Sequence, residues 1–97
     1  MKTYHVYILL CSDDSFYVGM SSALESRMEK HKTGYYKNSF TYSRRPVELV
    51  FHTEFYDAAQ ASVWEKRIKK WSRAKKQALI DGRFDDLVNL AKKKFKD

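Results

Sequence analysis

The stretch VYILLCSDDSFYVG, residues 6–19, decides how this chain begins to fold. Two runs rich in β-branched and aromatic residues flank the acidic segment SDDS, a pattern typical of a β-hairpin. We predict strands over residues 2–10 and 16–20. Each strand carries a tyrosine, Tyr7 or Tyr17, where phenylalanine or valine would serve a plain core equally well.

The length of the turn decides whether these two tyrosines share a face of the sheet. Side chains alternate between the faces along a strand, so a turn of two or four residues would separate Tyr7 from Tyr17. A three-residue loop or a bulge would bring them together. A functional site that uses both phenols therefore predicts an odd register.

The composition predicts one small globular domain. The chain has 97 residues, of which 43% are hydrophobic and 32% charged. No apolar run approaches the ~18 residues typical of a transmembrane helix, and no signal-peptide cleavage site is evident, so we expect a cytoplasmic protein without membrane contact. The lone Cys11 excludes an internal disulfide and a thiolate metal site, and we expect it to be a small buried filler.

The positive charge is concentrated in the second half of the chain. The formal net charge is +7, and residues 60–97 hold the whole excess, because basic and acidic side chains balance over residues 1–59. A basic half on a small domain indicates a polyanionic partner, most often nucleic acid. The alternative is an ordinary solvated helical surface.

Local signals place a helix and a strand after the hairpin. SALE, residues 22–25, reads as a capping box in which Ser22 caps the helix, and Gly34 should end that helix. We expect residues 35–45 to form a loop. Pro46 precedes a third strand, VELVF, with further pairing expected to Phe55.

Further helices complete the pattern. DAAQ, residues 57–60, is a second capping box, and the helix after it should bury a stripe of Ala61, Trp64, Ile68 and Trp71. Another helix runs from Ser72 to Gly82, and a last basic amphipathic helix covers residues 83–97. The order ββαβααα predicts an α+β fold in which a three-stranded antiparallel sheet is flanked by helices.

Two short motifs resemble those of the GIY-YIG nuclease domain. The usual Gly-Ile-Tyr appears as His5-Val6-Tyr7, and Tyr-Ile-Gly appears as Tyr17-Val18-Gly19. The resemblance continues through RRPVELVF and AQASVWEKRIKKWSRAKKQALI, and covers residues 3–81. The chain is most similar to small stand-alone members related to the N-terminal nuclease domain of the ABC excinuclease. His5, in place of the motif glycine, is a departure that could alter access beside Tyr7.

The resemblance implies an endonuclease that hydrolyses DNA phosphodiester bonds with one divalent metal ion, Mg²⁺ or Mn²⁺. DNA repair or recombination would be its setting, and a repair protein would be a fitting partner. Glu65 matches the sole protein ligand of the metal, and Arg27 matches an arginine that stabilises charge on the phosphate. Tyr17 matches the tyrosine that positions water or phosphate. Tyr7 and His31 match two residues that are each proposed as the general base.

The residue types suit this chemistry on their own terms. A hard cation prefers oxygen ligands, and arginine offers phosphate a planar fork of donors. Arg27 and His31 are four residues apart and share a helix face. Histidine titrates near neutrality whereas tyrosine does so near pH 10, but the sequence leaves both Tyr7 and His31 open as the base. Each residue also has an ordinary structural interpretation, such as an ion pair between Glu65 and Lys69 one helical turn away.

We expect DNA to be bound through its backbone and shape rather than through its bases, because no recognition helix is evident. The residues expected to contact it are Lys37, Arg44, Arg45, Lys66, Arg67, Lys69, Lys70, Arg73, Lys75 and Lys76. Two alternatives to an enzyme are a non-catalytic nucleic-acid-binding module on the same scaffold and a purely structural domain.

Overall fold

The computed structural model describes residues 2–85 and 87, and these form a three-stranded antiparallel sheet covered by helices on both faces. The strand order is β2-β1-β3, so the first strand is central. This confirms the predicted α+β class. The elements are β1 (Tyr4–Leu10), β2 (Phe16–Ser21), α1 (Leu24–Thr33), a short 3₁₀ turn (Tyr42–Arg44), β3 (Glu48–Phe55), α2 (Ala58–Lys69) and α3 (Arg73–Ile80).

The alternation of β1 divides the core into two clusters, one on each face of the sheet. Val6 and Ile8 pack with Ala61 and Ile68 of α2. Tyr7, Leu9 and Cys11 pack on the opposite face with Met28 of α1 and with Val47. The central strand is buried on both faces, which explains its nearly continuous apolar run. Cys11 is a buried free thiol, as predicted.

The hairpin turn has the odd length that a shared tyrosine face requires. Cys11 N–H donates to Ser15 O at 2.9 Å, so residues 12–14 form a three-residue loop, and Asp14 has φ 70°. In the resulting register Tyr7 is opposite Gly19 and Leu9 is opposite Tyr17. Directly opposed residues point to the same face, and so do alternate residues of one strand. Tyr7 and Tyr17 therefore share a face, as predicted.

The first helix ends as predicted but begins differently. Gly34 has φ 78° and its N–H donates to the carbonyl of His31, so glycine terminates α1 in the left-handed region. The capping box at residues 22–25 was wrong, because the N-cap is Ala23 and its side chain makes no capping bond. The hydroxyl of Ser21, at the end of β2, instead accepts from Ala23 N–H at 2.9 Å.

The third strand extends to Phe55, which pairs with Tyr4 as expected. A register shift between Ile8 and Leu9 leaves Val50 as an extra residue on β3. Val50 and Phe51 consequently both pack against the cluster under α2. A bulge of this kind lets two consecutive apolar side chains serve one face of the sheet.

The cap of the second helix is confirmed, but its buried stripe differs from the prediction. Asp57 accepts from Ala59 N–H at 2.9 Å. Trp64 is 39% exposed, so its predicted place in the core was wrong. Ala61 and Ile68 are buried, and Glu65 lies one turn from each of them. The sheet-facing side of α2 thus includes a carboxylate.

The third helix begins at the predicted cap, with Ser72 Oγ accepting from Lys75 N–H at 3.2 Å, and it ends just before Gly82. Most of the last predicted helix, over residues 83–97, lies outside the described residues. None of the helices in residues 2–85 and 87 has the length and hydrophobicity of a transmembrane segment.

Candidate active site

A buried hydrogen bond joins the first tyrosine of the sequence motifs to the histidine of α1. Tyr7 Oη lies 3.0 Å from His31 Nε2. Tyr7 is 0% exposed and His31 is 3% exposed. Tyr7 projects from the sheet face that α1 covers, and His31 is on the side of α1 that packs down onto it. Two elements separated by the whole β2 strand thereby meet at one hydrogen bond.

Aromatic rings and one guanidinium complete the cluster around this bond. The Tyr17 ring is centred 5.3 Å from the His31 ring and 6.4 Å from the Tyr7 ring. Tyr36, from the loop after α1, lies 5.2 Å from His31 between ring centres, and the Arg27 guanidinium is 5.4 Å from the Tyr36 ring centre. Four of the five predicted catalytic residues are therefore gathered on one face of the sheet.

The cluster opens onto a cleft of about 420 Å³. We call this the catalytic cleft because three of the predicted catalytic residues line it; its lining residues are Tyr17, Arg27, His31, Tyr36, Lys37, Asn38 and Ser39. Its charged groups are cationic, and its remaining polar groups are neutral. Such a lining suits an anionic ligand such as phosphate.

Gly19 makes room for the Tyr7 phenol. A methyl group at Gly19 would lie 2.5 Å from Tyr7 Oη and 2.6 Å from Tyr7 Cζ. A glycine within a strand often marks a place where a ligand or another backbone approaches closely. The structure shows that the close neighbour is the side chain of the paired strand. The second motif therefore needs glycine in order to seat the tyrosine of the first.

The protonation states follow from burial and from neighbouring charges. Burial raises the pKa of Tyr7 well above its ordinary value, with Tyr17 adding to the effect and Arg27 opposing it. Burial also lowers the pKa of His31 below its ordinary value of 6.5, and the charge of Arg27 lowers it further. At neutral pH the phenol is protonated and the imidazole is neutral, which makes His31 the better proton acceptor.

The second nitrogen of His31 has a partner that the sequence did not indicate. His31 Nδ1 lies 2.9 Å from Thr41 Oγ1, and Thr41 Oγ1 lies 3.1 Å from Ser39 Oγ. Thr41 is 1% exposed. Neither residue, nor Tyr36, follows any periodicity, because all three lie in the irregular loop. Only the folding of this loop back onto α1 reveals them.

Glu65 approaches from the other side of the sheet. Its helix, α2, packs on the face opposite α1 and contacts both strands of the hairpin, β1 and the edge strand β2. The Glu65 side chain is 19% exposed and pairs with Lys69 at 3.4 Å, so the ordinary i, i+4 ion pair is present. Its charge nevertheless acts on the phenol, since Glu65 contributes to raising the pKa of Tyr7.

Glu65 is the residue of the candidate site that could hold a hard cation. Over residues 2–85 and 87, no three His, Cys, Asp or Glu side chains converge to form a metal-binding group. A single partly buried carboxylate such as Glu65 leaves most coordination positions to water and phosphate oxygens. Mg²⁺ is commonly held in this way, through one or two carboxylates and the substrate.

The predicted DNA-contacting residues fall into distinct groups. Arg44 and Arg73 pair with the hairpin turn, at 3.0 Å from Asp13 and 3.5 Å from Asp14 respectively. Arg45 donates to the Tyr42 carbonyl at 2.9 Å. These three arginines therefore hold the turn, the loop and α3 together. The exposed basic residues of α2 and its C-cap are Lys66, Arg67, Lys69 and Lys70.

A second cleft, of about 300 Å³, lies beside Tyr17. We call it the lysine cleft; it is lined by Phe16, Tyr17, Val18, Phe40, Lys69 and Lys76. Phe40 is stacked on Tyr17 with an interplanar angle of 22°, and Tyr17 thus separates the two clefts. Lys69 of α2 and Lys76 of α3 line this cleft together with Tyr17, which also lines the catalytic cleft. Clefts on the two faces of the sheet therefore meet at Tyr17 on the edge strand β2.

Known proteins resemble this chain in sequence and in fold. The chain is 44% identical over 81 residues to a UPF0213 protein of Syntrophus aciditrophicus, an alignment that covers 82% of this chain and 92% of the relative. The solution structure of the UPF0213 protein BH0048 from Bacillus halodurans matches with a TM-score of 0.54 and 35% identity, covering 81% of this chain and 83% of that one.

A second solution structure, of the protein EF2693 from E. faecalis, matches with a TM-score of 0.60 and 30% identity, over 87% of this chain and 88% of that one. The family model of the GIY-YIG catalytic domain matches residues 3–78, a span that includes both tyrosine motifs and Glu65. The chain therefore belongs to the GIY-YIG catalytic-domain family.

Proposed function

We propose that this protein is a metal-dependent DNA endonuclease that hydrolyses phosphodiester bonds. The observation that supports this most is the convergence of Tyr7, Tyr17, Arg27 and His31 in one cluster that opens onto a cationic cleft. Membership of a nuclease family supports the reaction class. DNA repair or recombination is the setting we propose for this activity.

In the proposed mechanism, Arg27 and Lys37 bind the phosphate in the catalytic cleft. The Arg27 fork donates to phosphate oxygens, where its charge stabilises the negative charge that develops in the transition state. Tyr17, at the wall between the two clefts, orients the phosphate or the attacking water through its hydroxyl. Both roles use groups that are already in place in the free protein.

His31 serves as the final proton acceptor and Tyr7 as the group between it and the water. The neutral Nε2 takes the Tyr7 hydroxyl proton as the phenol oxygen takes one from the attacking water; because Tyr7 is 0% exposed in the free protein, the cleft must open to its hydroxyl when DNA binds. The proton thus ends on the imidazole, hydroxide adds to phosphorus, and the P–O bond to the leaving sugar oxygen breaks, with its electron pair going to that oxygen. In this proposal the two candidate bases act as one pair, which the 3.0 Å hydrogen bond between them supports. General-base catalysis of this kind contributes roughly 10²–10⁴-fold to a rate.

Glu65 would hold one divalent metal, Mg²⁺ or Mn²⁺, together with water and phosphate oxygens. When bound, the metal would supply positive charge for the phosphate and the leaving oxygen. In the free protein the Lys69 ammonium pairs with the Glu65 carboxylate at 3.4 Å, so this ion pair must break before a metal can bind. We therefore expect metal binding to be weak without DNA and stronger with it.

The test is a nicking assay on supercoiled plasmid and on a branched oligonucleotide, with Mg²⁺ or Mn²⁺ and with a chelator. Glu65→Gln should lower the rate at least about 10²-fold, because it removes the ligand charge. DNA binding should persist. Glu48→Gln, at an exposed position on β3, is the matched control and should leave the rate unchanged.

A different outcome would favour a non-catalytic binding module. That function is supported by the Glu65–Lys69 ion pair, which ties up the proposed ligand. It predicts DNA binding of equal strength in the wild type and in Glu65→Gln, and no metal-dependent nicking by either. Such a result with properly folded protein would contradict the endonuclease proposal.

A further inference from the structure

The side chain of the loop residue Thr41 is buried beside His31. Thr41 is 1% exposed, and its Oγ1 lies 2.9 Å from His31 Nδ1. On its other side Ser39 Oγ is 3.1 Å away. Ser39 Oγ also accepts from Thr41 N–H at 3.3 Å. The hydroxyl is thus held between an imidazole and a serine.

The Thr41 side chain does not cap the short helical turn that begins after it. Thr41 is the N-cap of the 3₁₀ turn Tyr42–Arg44, where threonine side chains commonly accept a backbone N–H. Here the side chain makes no capping bond. The hydroxyl points to His31 instead, so the local stabilisation of a cap has been exchanged for a contact with the candidate base.

The hydrogen bonds around His31 are consistent with one tautomer. If Nε2 carried the proton and donated to Tyr7, the buried phenol hydrogen would need a different acceptor, and leaving it unpaired would cost roughly 1–3 kcal/mol. If Nδ1 carries the proton, Tyr7 donates to Nε2, His31 donates to Thr41, and Thr41 donates to Ser39. The Tyr7 hydroxyl, the His31 Nδ1–H and the Thr41 hydroxyl then each have an acceptor.

We infer that Thr41 is a positioning residue of the site: its hydroxyl accepts the Nδ1–H of His31 and so keeps Nε2 unprotonated and directed at Tyr7. The consequence for rate rests on the proposed function, whereas the tautomer itself does not. After His31 accepts a proton at Nε2, the Nδ1–H bond to Thr41 stays in place. The ring therefore needs no rearrangement during the reaction.

The other groups that face His31 do not supply this bond. Arg27 on its own helix contributes positive charge, which disfavours the protonated ring. Tyr7, Tyr17 and Tyr36 approach from β1, β2 and the loop as neighbouring rings. Of these, Tyr7 is bonded at Nε2. The bond at the other nitrogen, Nδ1, is supplied by Thr41.

The test uses ¹⁵N NMR of the histidine ring in the free full-length protein, without DNA or metal, at pH 7.5. We expect the Nδ1–H tautomer for wild-type His31. Thr41→Val keeps the shape but removes the acceptor, so the Nε2–H tautomer should increase. Thr41→Ser restores a hydroxyl and should restore the wild-type spectrum, while thermal unfolding checks that each variant folds.

The same variants are then compared in the nicking assay across pH 5–9. We expect Thr41→Val to be at least tenfold slower, with an altered acidic limb of its pH profile, and Thr41→Ser to stay within about threefold of the wild type. A wild-type Nε2–H tautomer would overturn the inference even if Thr41→Val does not fold. An unchanged tautomer in a folded Thr41→Val would do the same. Absence of nicking by the wild type would instead contradict the proposed function and leave the tautomer result standing.

Discussion

Gly19 and Tyr7 form one steric unit across two strands. They face each other in the register, and the phenol lies over the position that a β-carbon would occupy. The hydroxyl of the same phenol reaches His31 at 3.0 Å. At the scale of single residues, the two tyrosine motifs are therefore one structural requirement, because the glycine of one seats the tyrosine of the other.

Gly19→Ala should displace the Tyr7 ring and lengthen its bond to His31. An added methyl group would lie 2.5 Å from Oη and 2.6 Å from Cζ, so something must shift. Overpacking of this kind costs about 1–3 kcal/mol of unfolding free energy, which urea denaturation would measure. In the Tyr7→Phe background, where the Oη contact is gone, the substitution should cost less. Equal losses in both backgrounds would contradict this steric explanation.

Helix α2 is the element that presents the proposed metal ligand. It packs Ala61 and Ile68 into the core and places Glu65 between them, so its position on the sheet sets the position of the carboxylate. Its N-terminus is held by Asp57, which accepts from Ala59 N–H. The loop after α1 is an element of a different kind, since Arg44 and Arg45 fix it to the hairpin turn and to its own backbone.

Asp57→Ala should lower the unfolding free energy by about 1 kcal/mol, because it removes the cap of α2. In a domain of this size that loss corresponds to a fall of roughly 4–8 °C in the melting temperature, measured by circular dichroism. Glu29→Ala, at an exposed position on α1, is the control and should change the melting temperature by much less. Equal shifts in the two variants would show that the cap does not stabilise α2.

In the whole molecule, the catalytic cleft and the lysine cleft meet at the edge strand β2. The catalytic cleft lies on the α1 face, while the lysine cleft draws Lys69 and Lys76 from α2 and α3. Tyr17 lines both clefts. A polyanion that follows the β2 edge could therefore contact cationic groups from every helix of the described residues.

DNA binding should weaken steeply with salt, as expected when phosphates release counterions. Lys37→Gln, in the catalytic cleft, should reduce the slope of log affinity against log salt by about 0.9 on duplex DNA. Lys2→Gln, near the start of β1 and outside both clefts, should leave the slope unchanged. The measurement is fluorescence anisotropy over a series of salt concentrations, and identical slopes for the two variants would argue against the catalytic cleft as the phosphate site.

Short-range sequence signals predicted the hairpin, the α+β class, the caps at Asp57 and Ser72, and the helix end at Gly34. These features depend on periodicity, turn chemistry and glycine, all of which act between residues close along the chain. The shared face of Tyr7 and Tyr17 was predicted by the functional interpretation, because strand alternation makes it depend on the turn length, which the sequence left open.

The contacts between distant parts of the chain became evident from the three-dimensional fold. In the structure Trp64 is exposed, and Glu65 lies on the sheet-facing side of α2. The N-cap of the first helix is Ala23 rather than Ser22, and the Tyr7 phenol fills the space beside Gly19. The fold also brought Thr41 to His31, from a loop without periodicity. The physical reason is that close packing and buried hydrogen bonds depend on which surfaces face each other, and local sequence patterns do not encode that choice.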